Sequence, residues 1–353
     1  MALLGLPVRR RRKINQEEEK KPSFSFLLRV FRVLRGKNSL LEVARHVIGR
    51  RNQSGMTDHQ AKLRDFQPQH SYFVGIDSDG CTFDTMELKH KECFIPNTIR
   101  HYELQAVSKY AREAAEFVNL YSKWRGINRF PALVMSLELL AERPEVQQRG
   151  LKIKDYSSIQ KFIDSGKPLG NPSLKEEIEA TGDPQLSRAL EWSEAVNQTV
   201  ADMVYGVTPF PYVKECLQEF SEFADMMCVS ATPVGALTQE WEEHGIAQYV
   251  SVIAGQEVGS KKATLKAASE RGYDSDKFLM IGDAPGDMNA ARDNGALFYP
   301  IVPGEEEASW KKLADEALSR FRDRSYAGEY EDQLVEYFLK KLPDTPPWKS
   351  TGK

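Results

Sequence analysis

The sequence predicts an α/β fold: a doubly wound (Rossmann-like) parallel sheet with a helical domain inserted into it. Three observations carry that prediction. Three short apolar runs, Tyr72–Ile76, Met226–Ser230 and Phe278–Asp283, read as buried strands. The first and third runs, and Gly259-Ser260 ahead of Lys261, give turn residues before helical spacing. Residues 85–209, 125 in number, separate the first strand from the second, too many for a simple crossover and enough for a domain.

The strand ends are where the chemistry gathers. The first strand runs into Asp77-Ser78-Asp79-Gly80-Cys81-Thr82-Phe83-Asp84. Carboxylates at the carboxyl end of a buried parallel strand lie where open α/β sheets bind ligands. Two residues apart, Asp77 and Asp79 can address one reacting centre from two sides, one attacking and the other moving a proton. Asp-Ser-Asp-Gly is equally good turn chemistry, so this stretch alone decides nothing. The second strand ends in Ser230, ahead of Ala231-Thr232-Pro233. Gly259-Ser260-Lys261-Lys262 opens an amphipathic helix with apolar Ala263, Leu265 and Ala268. The third strand ends in Gly282-Asp283, and Ala284-Pro285-Gly286-Asp287 leads into a helix through Ala290 and Ala291. Asp283 and Asp287 also suit a helix start, as N-cap and dipole partner, which is compatible with holding a metal. One of Lys261 and Lys262 is expected to be a solvated helix start, and spacing does not say which.

A carboxylate pair, a hydroxyl, an amine and a second carboxylate pair, in that order, resemble the haloacid dehalogenase-like hydrolase superfamily, in its phosphatase type. The first segment is similar to that family's DxDG(T/V) motif, with Cys81 where Thr or Val is more usual, and Gly282–Asp287 has the GDxxxD form. The likeness covers about residues 72–84 and 205–301. It implies a Mg²⁺-dependent phosphatase hydrolysing a small phosphomonoester through an aspartyl-phosphate. Asp77, Asp79, Ser230 and Lys261 would be catalytic, and Asp77, Asp79, Asp283 and Asp287 would be the metal set. It further implies that residues 85–209 form a helical cap over the site.

Electrostatics leads the same way. A phosphate ester repels an aspartate nucleophile, and a Mg²⁺ ion held by hard oxygens cancels that repulsion; Asp77, Asp283 and a backbone carbonyl near Asp79 suit it. Lys261 adds a point charge over the phosphoryl oxygens, and Ser230 with nearby N–H groups donates hydrogen bonds. Other reactions within the superfamily stay open. A dehalogenase has no need of the acid that Asp79 supplies. A phosphonate hydrolase would use a cap lysine as an imine, with Lys123 or Lys154 available, and a mutase would share the core motifs. A binding or scaffold protein that retains the core is opposed by the presence of every catalytic residue type.

Composition fits a soluble enzyme. With 353 residues, 41% hydrophobic and 28% charged, the chain can bury one large core and a smaller one. It has no apolar run of 18 residues and no signal-peptide pattern. Its four cysteines, Cys81, Cys93, Cys216 and Cys228, form no CxxC pair, which points to a reducing cytoplasm.

Charge marks a boundary. Residues 1–55 hold 14 Lys and Arg against 4 Glu, a net of +10, leaving −13 on residues 56–353. Arg9–Lys13 and the Glu and Lys run after it read as disordered. Phe24, Leu27, Leu28, Phe31 and Leu34 recur at helical spacing among Arg29, Arg32 and Arg35, a short basic amphipathic helix over residues 24–35 able to rest on an anionic membrane surface, on another protein or on the chain's own acidic domain. No sequence-specific nucleic-acid partner is expected, because no aromatic and basic platform accompanies the arginines. Residues 52–70 read as a linker.

The organisation expected is therefore residues 1–55 as a basic segment, 56–84 and 210–301 as the α/β core, 85–209 as the helical cap, and 302–353 as a helical extension with a Pro-rich end. Within the cap, Leu104–Trp124, Pro131–Leu140, Ser173–Ala180 and Asp183–Met203 have helical periodicity, and Arg125, Asn128, Arg129 and Lys167 are candidate substrate contacts or ordinary surface groups. In the extension, Trp310–Phe321 and Tyr330–Leu342 are helical patterns with no assigned chemistry.

Overall fold

Five parallel strands, β1 (Tyr72–Ile76), β2 (Ala224–Val229), β3 (Val252–Ala254), β4 (Phe278–Gly282) and β5 (Leu297–Pro300), form one sheet in the order β3-β2-β1-β4-β5. The computed structural model describes residues 59–350, so the basic segment and its amphipathic stretch at 24–35 lie outside the described residues. The chain winds outward from β1 to β2 and β3, then returns to start β4 on the other side of β1. That reversal between β1 and β4 opens a crevice at their carboxyl ends, where doubly wound sheets bind ligands.

Both faces of the sheet are covered, and alternation along each strand decides which side chain goes where. Val74, Ile76, Met226, Cys228, Leu279, Ile281 and Tyr299 point to one face, where helices Val213–Phe220 and Val234–Glu243 bring Leu217, Phe220 and Trp241. Phe73, Met227, Val229, Met280 and Phe298 point to the other, against Leu265, Met288 and Ala291.

Residues 302–342 complete both layers. Trp310, Leu313 and Phe321 pack on the first face. Val335 and Phe338, from helix Glu329–Lys340, pack on the second, with Phe338 5.8 Å from the Phe298 ring. The pattern over Trp310–Phe321 is helical as expected, but it widens into a π turn at Leu313–Ala317. β3 and β5 were not anticipated. They are only three and four residues long, below the length at which periodicity separates a strand from a buried turn. The linker expected over 52–70 needs correction at its second half. Residues 59–65 are helical, and Leu63 and Phe66, three apart, lie on the second face, burying apolar surface that a linker would leave in water.

Among the described residues, 85–203 hold helices and no strand. Thr85–Leu88 continues through a π turn at Lys89–Phe94 into Ile95–His101. Ser108–Asn119, Arg129–Ala141, Asn171–Thr181 and Pro184–Met203 match the four periodic segments read from the sequence. Their apolar faces make a separate cluster around Phe130, Leu133, Leu137, Phe162 and Trp192, apart from the sheet's two clusters. The tail reaches this helical region. Pro343 O accepts from Lys123 N at 3.3 Å, and Asp344 pairs with Lys123 at 3.4 Å. Trp348 lies edge-on to Phe117 and under the Arg143 guanidinium, and Lys349 pairs with Glu142.

Phe338 is fully buried, while its neighbour Leu339 is 40% exposed. Phe338→Ala should lower the unfolding free energy by about 3–5 kcal/mol, and Leu339→Ala by less than about 1 kcal/mol. Urea titration of both variants measures the difference; equal losses would mean that this helix does not close the sheet.

Candidate active site

β1 and β4 lie side by side, Ile76 opposite Ile281, so both chains leave the sheet at one point. Asp77 follows β1 directly, its N–H still donating to Ile281 O at 3.0 Å. Asp283 follows β4, and Asp287 sits in the first turn of helix Pro285–Asp293, where its Oδ2 accepts from Ala284 N at 3.1 Å. These three buried carboxylates offer oxygens that all lie within 4.8 Å of one another. Two glycines permit this. A Cβ on Gly282 would sit 2.4 Å from Asp287 Cβ. Gly80 has φ +74°, and a Cβ there would lie 2.5 Å from the Arg125 guanidinium and 2.7 Å from Asp283 Oδ2.

Lys261 opens helix Lys261–Ser269, which Ser260 caps by accepting from Ala263 N. Its ammonium bridges Asp77 Oδ2 at 2.6 Å and Asp287 Oδ1 at 2.5 Å. Lys262 instead points outward to Asp293. The geometry thus brings one of the two lysines to the carboxylates. Burial opposes the Lys261 charge, but Asp287, Asp77 and Asp283 outweigh it and hold the ammonium above its ordinary range. Burial pushes the Asp77 carboxyl well above the usual range; Lys261 opposes this, and the Asp287 and Asp283 charges reinforce it. Asp287 is raised in the same way.

Arg125 is the second cation here. Its Nε and Nη2 both lie 2.6 Å from Asp283 Oδ2, and Nη1 donates to Leu120 O at 3.0 Å. Were all three carboxylates ionised, two cations would leave one negative charge uncompensated, an expensive state in a buried site. Asp283 Oδ1 is also buried without a hydrogen-bond partner. Hard oxygens, a missing positive charge and an unsatisfied oxygen are what a Mg²⁺ ion fits.

Asp79 is placed apart from this trio. Its Oδ1 accepts from Lys89 Nζ at 2.5 Å and from the Thr85 hydroxyl, and its Oδ2 accepts from Thr232 Oγ1 at 2.5 Å. Burial penalises its charge, yet Lys89, Thr232 and Thr85 outweigh that and hold the carboxyl at about 2. The carboxylate cluster therefore contains three of the four expected metal residues, and the Asp79 side chain is not among them. Ser230 is buried just beyond β2, its N–H on Ala254 O at 2.9 Å and its hydroxyl accepting from Thr232 N at 3.2 Å.

Glu240 flanks the other side of this pair of loops, its Oε2 accepting from Ser78 Oγ at 3.4 Å, while that hydroxyl accepts from Trp241 Nε1 at 3.0 Å. Burial, then the Asp79 charge, push Glu240 to about 7. Beside Lys89, His90 stacks on Phe94, and burial, then Arg125 and Lys89, lower it to about 3, so it is neutral.

Of the candidate substrate contacts, Arg125 alone reaches the site. Asn128 caps helix Arg129–Ala141, Arg129 binds Ser193 and Asn197, and Lys167 pairs with Glu177. The lysines available to an imine mechanism also lie on other partners, Lys123 on Asp344 and Lys154 on Glu103. Cys81 is buried under Trp310, and its thiol is pushed up by burial and the neighbouring carboxylates, which suits a packing role. Lys89, Thr232 and Glu240 were missed. Thr232 stands in the quoted segment after Ser230, whereas Lys89 and Glu240 reach the site only through helix packing.

A parallel doubly wound sheet with carboxylates and a lysine at its switch point is the arrangement that the resemblance to the haloacid dehalogenase-like hydrolases implies. The resemblance read from the motifs is borne out, since the family model for haloacid dehalogenase-like hydrolases matches residues 150–299. No curated protein matches the sequence. Among solved structures, the chain is similar to a predicted phosphoglycolate phosphatase from Haemophilus somnus, at 11% identity over 66% of this chain and 86% of that one, with a TM-score of 0.41. A hydrolase from Pseudomonas syringae matches at 15% over 68% and 90%, TM-score 0.40. A haloacid dehalogenase-like family hydrolase from Streptococcus pneumoniae matches at 16% over 76% and 98%, TM-score 0.37.

Glu240 gives a pH test. Its folded value lies above the ordinary 4.5, so it favours the folded state while protonated, and that contribution is lost as pH rises through about 7. Glu240→Gln should leave Tm near wild type at pH 5 and raise it by about 2–4 °C at pH 8. Calorimetry at the two pH values decides; a pH-independent shift would show that the carboxyl is not held in this way.

Proposed function

We propose that the chain is a Mg²⁺-dependent phosphatase acting on a small phosphomonoester through an aspartyl-phosphate on Asp77. The observation that carries this reading is the trio Asp77, Asp283 and Asp287, one positive charge short, with Lys261 across it and Asp79 two residues from Asp77 on its own lysine.

Asp77, Asp283 and Asp287 would hold the ion, with a backbone oxygen near Asp79, and the ion supplies charge neutralisation for an incoming phosphoryl group. Asp77 attacks phosphorus with its carboxylate, and the bond to the leaving oxygen breaks as the new one forms. Lys261 keeps its charge throughout and adds it to the phosphoryl oxygens. Ser230 and the N–H groups of the loop after it are the hydrogen-bond donors for those oxygens. Asp79 gives a proton to the leaving oxygen, which requires the protonated form; a phosphoryl dianion beside it favours that form. It then takes a proton from the water that releases phosphate, and its pairing with Lys89 suits this second role.

Residues 85–209 act in this reading as the cap that excludes water and selects the leaving group, with Arg125 as its contact to the core. All four cysteines are free and buried, which fits a reducing compartment, here the cytoplasm. Among the described residues no helix is long and apolar enough to cross a membrane.

Asp77→Asn should keep the fold and reduce kcat on p-nitrophenyl phosphate by about 10³-fold or more. Retention of near wild-type turnover would remove Asp77 as the nucleophile. Chelation by EDTA should abolish turnover, Mg²⁺ should restore it, and Ca²⁺, with longer bonds and more ligands, should inhibit. Full activity in EDTA would point to a metal-free reaction.

A further inference from the structure

The exposure of the charged groups shows which way the site opens. The side chains of Asp287 and Asp283 are 0% and 2% exposed, whereas Asp79 and Lys89 are each 15% exposed and Lys261 19%. The approach to Asp77 therefore runs past Lys261 on one side and the Asp79–Lys89 pair on the other. Lys261 is committed to two carboxylates. Lys89 hydrogen-bonds to Asp79 Oδ1 and, among the described residues, to no other group. An ammonium carries three donors, so two remain for a ligand.

Asp79 does not need this cation to be satisfied. Thr85 and Thr232 place a hydroxyl on each of its oxygens. Lys89 is thus a surplus donor with a full charge, seated on the helical region and next to the group that hands a proton to the leaving oxygen. The other charges nearby are already assigned. Arg125 lies on Asp283, His90 is neutral, and Glu240, across the loop at Ser78, offers no positive charge. One place on the leaving side of the site remains where a second negative charge meets a cation.

We propose that Lys89 is a specificity-determining residue whose ammonium binds an anionic group, carboxylate or phosphate, on the leaving portion of the phosphomonoester. This deepens the phosphatase reading and rests on it. The substrate class is then a short phosphomonoester bearing a second negative charge a few bonds from the ester oxygen. Transfer of Lys89 from Asp79 to that charge makes no new buried ion and leaves the two threonine hydroxyls on Asp79.

The test uses the full chain with Mg²⁺ and three esters of similar length: ethyl phosphate, phosphoglycolate and 1,2-ethanediol bisphosphate. Wild type should favour an anionic ester over ethyl phosphate in kcat/KM by about 10–100-fold, the span of a charge-assisted hydrogen bond. The arm that is favoured identifies the anion as carboxylate or phosphate. Lys89→Gln should erase most of that ratio, chiefly through KM, and Lys89→Arg should restore part of it, with thermal melts confirming that both variants fold. An equal loss on all three esters, or no preference in wild type, overturns the Lys89 assignment and leaves the phosphatase reading standing. Absence of turnover on every ester, or turnover that survives Asp77→Asn, overturns the phosphatase reading and this assignment with it.

Discussion

The fold of this chain is arranged around a charge imbalance. Asp77, Asp283 and Asp287 are buried with oxygens within 4.8 Å of one another, where like charges repel strongly. Lys261 and Arg125 oppose that repulsion from two directions, one from a helix on the sheet's second face and one from the inserted helical region. Neither partner is local in sequence to the carboxylates it holds. The strand ends, a helix start and the 120–127 turn must all be in place for both cations to reach the three carboxylates.

The sheet order explains why these groups meet. β1 is central, and its neighbours β2 and β4 leave the sheet alongside it, so three loops end within hydrogen-bonding reach. The loop after β1 supplies Asp77 and Asp79, that after β2 supplies Ser230 and Thr232, and that after β4 supplies Asp283 and Asp287. Thr232 touching Asp79 across 153 residues of sequence is a direct result of that strand pairing. Large apolar clusters lie beneath on both faces, which gives these loops a rigid base.

Much of this was legible because the strands that matter most carry strong signals. Tyr72–Ile76 was read with the bounds it has, and the motif residues at the ends of β1 and β4 follow from chain direction alone. β3 and β5 were not legible, being too short for alternation to show. The helix at 59–65 was hidden by its polar flanks, Leu63 within it and Phe66 just after it acquiring meaning only against the sheet. Arg125 is one of four polar cap residues that the sequence does not tell apart; what distinguishes it is burial, which the sequence of a turn does not display. Lys89 and Glu240 gave no signal, since a charged residue on a helix looks solvated until the helix docks.

The tail at 343–350 has a mechanical meaning. The helical region joins the sheet through two chain crossings, before Thr85 and after Met203. A body held at two points keeps one rotation, about the line through them. Pro343, Asp344, Trp348 and Lys349 attach to Lys123, Phe117, Arg143 and Glu142, well away from either crossing in sequence. Together with the Arg125–Asp283 and Lys89–Asp79 pairs, these contacts oppose that rotation. A swing of the helices against the sheet would therefore shear the Trp348 stack or carry residues 343–350 along, so a segment late in the sequence stiffens a joint formed early in it.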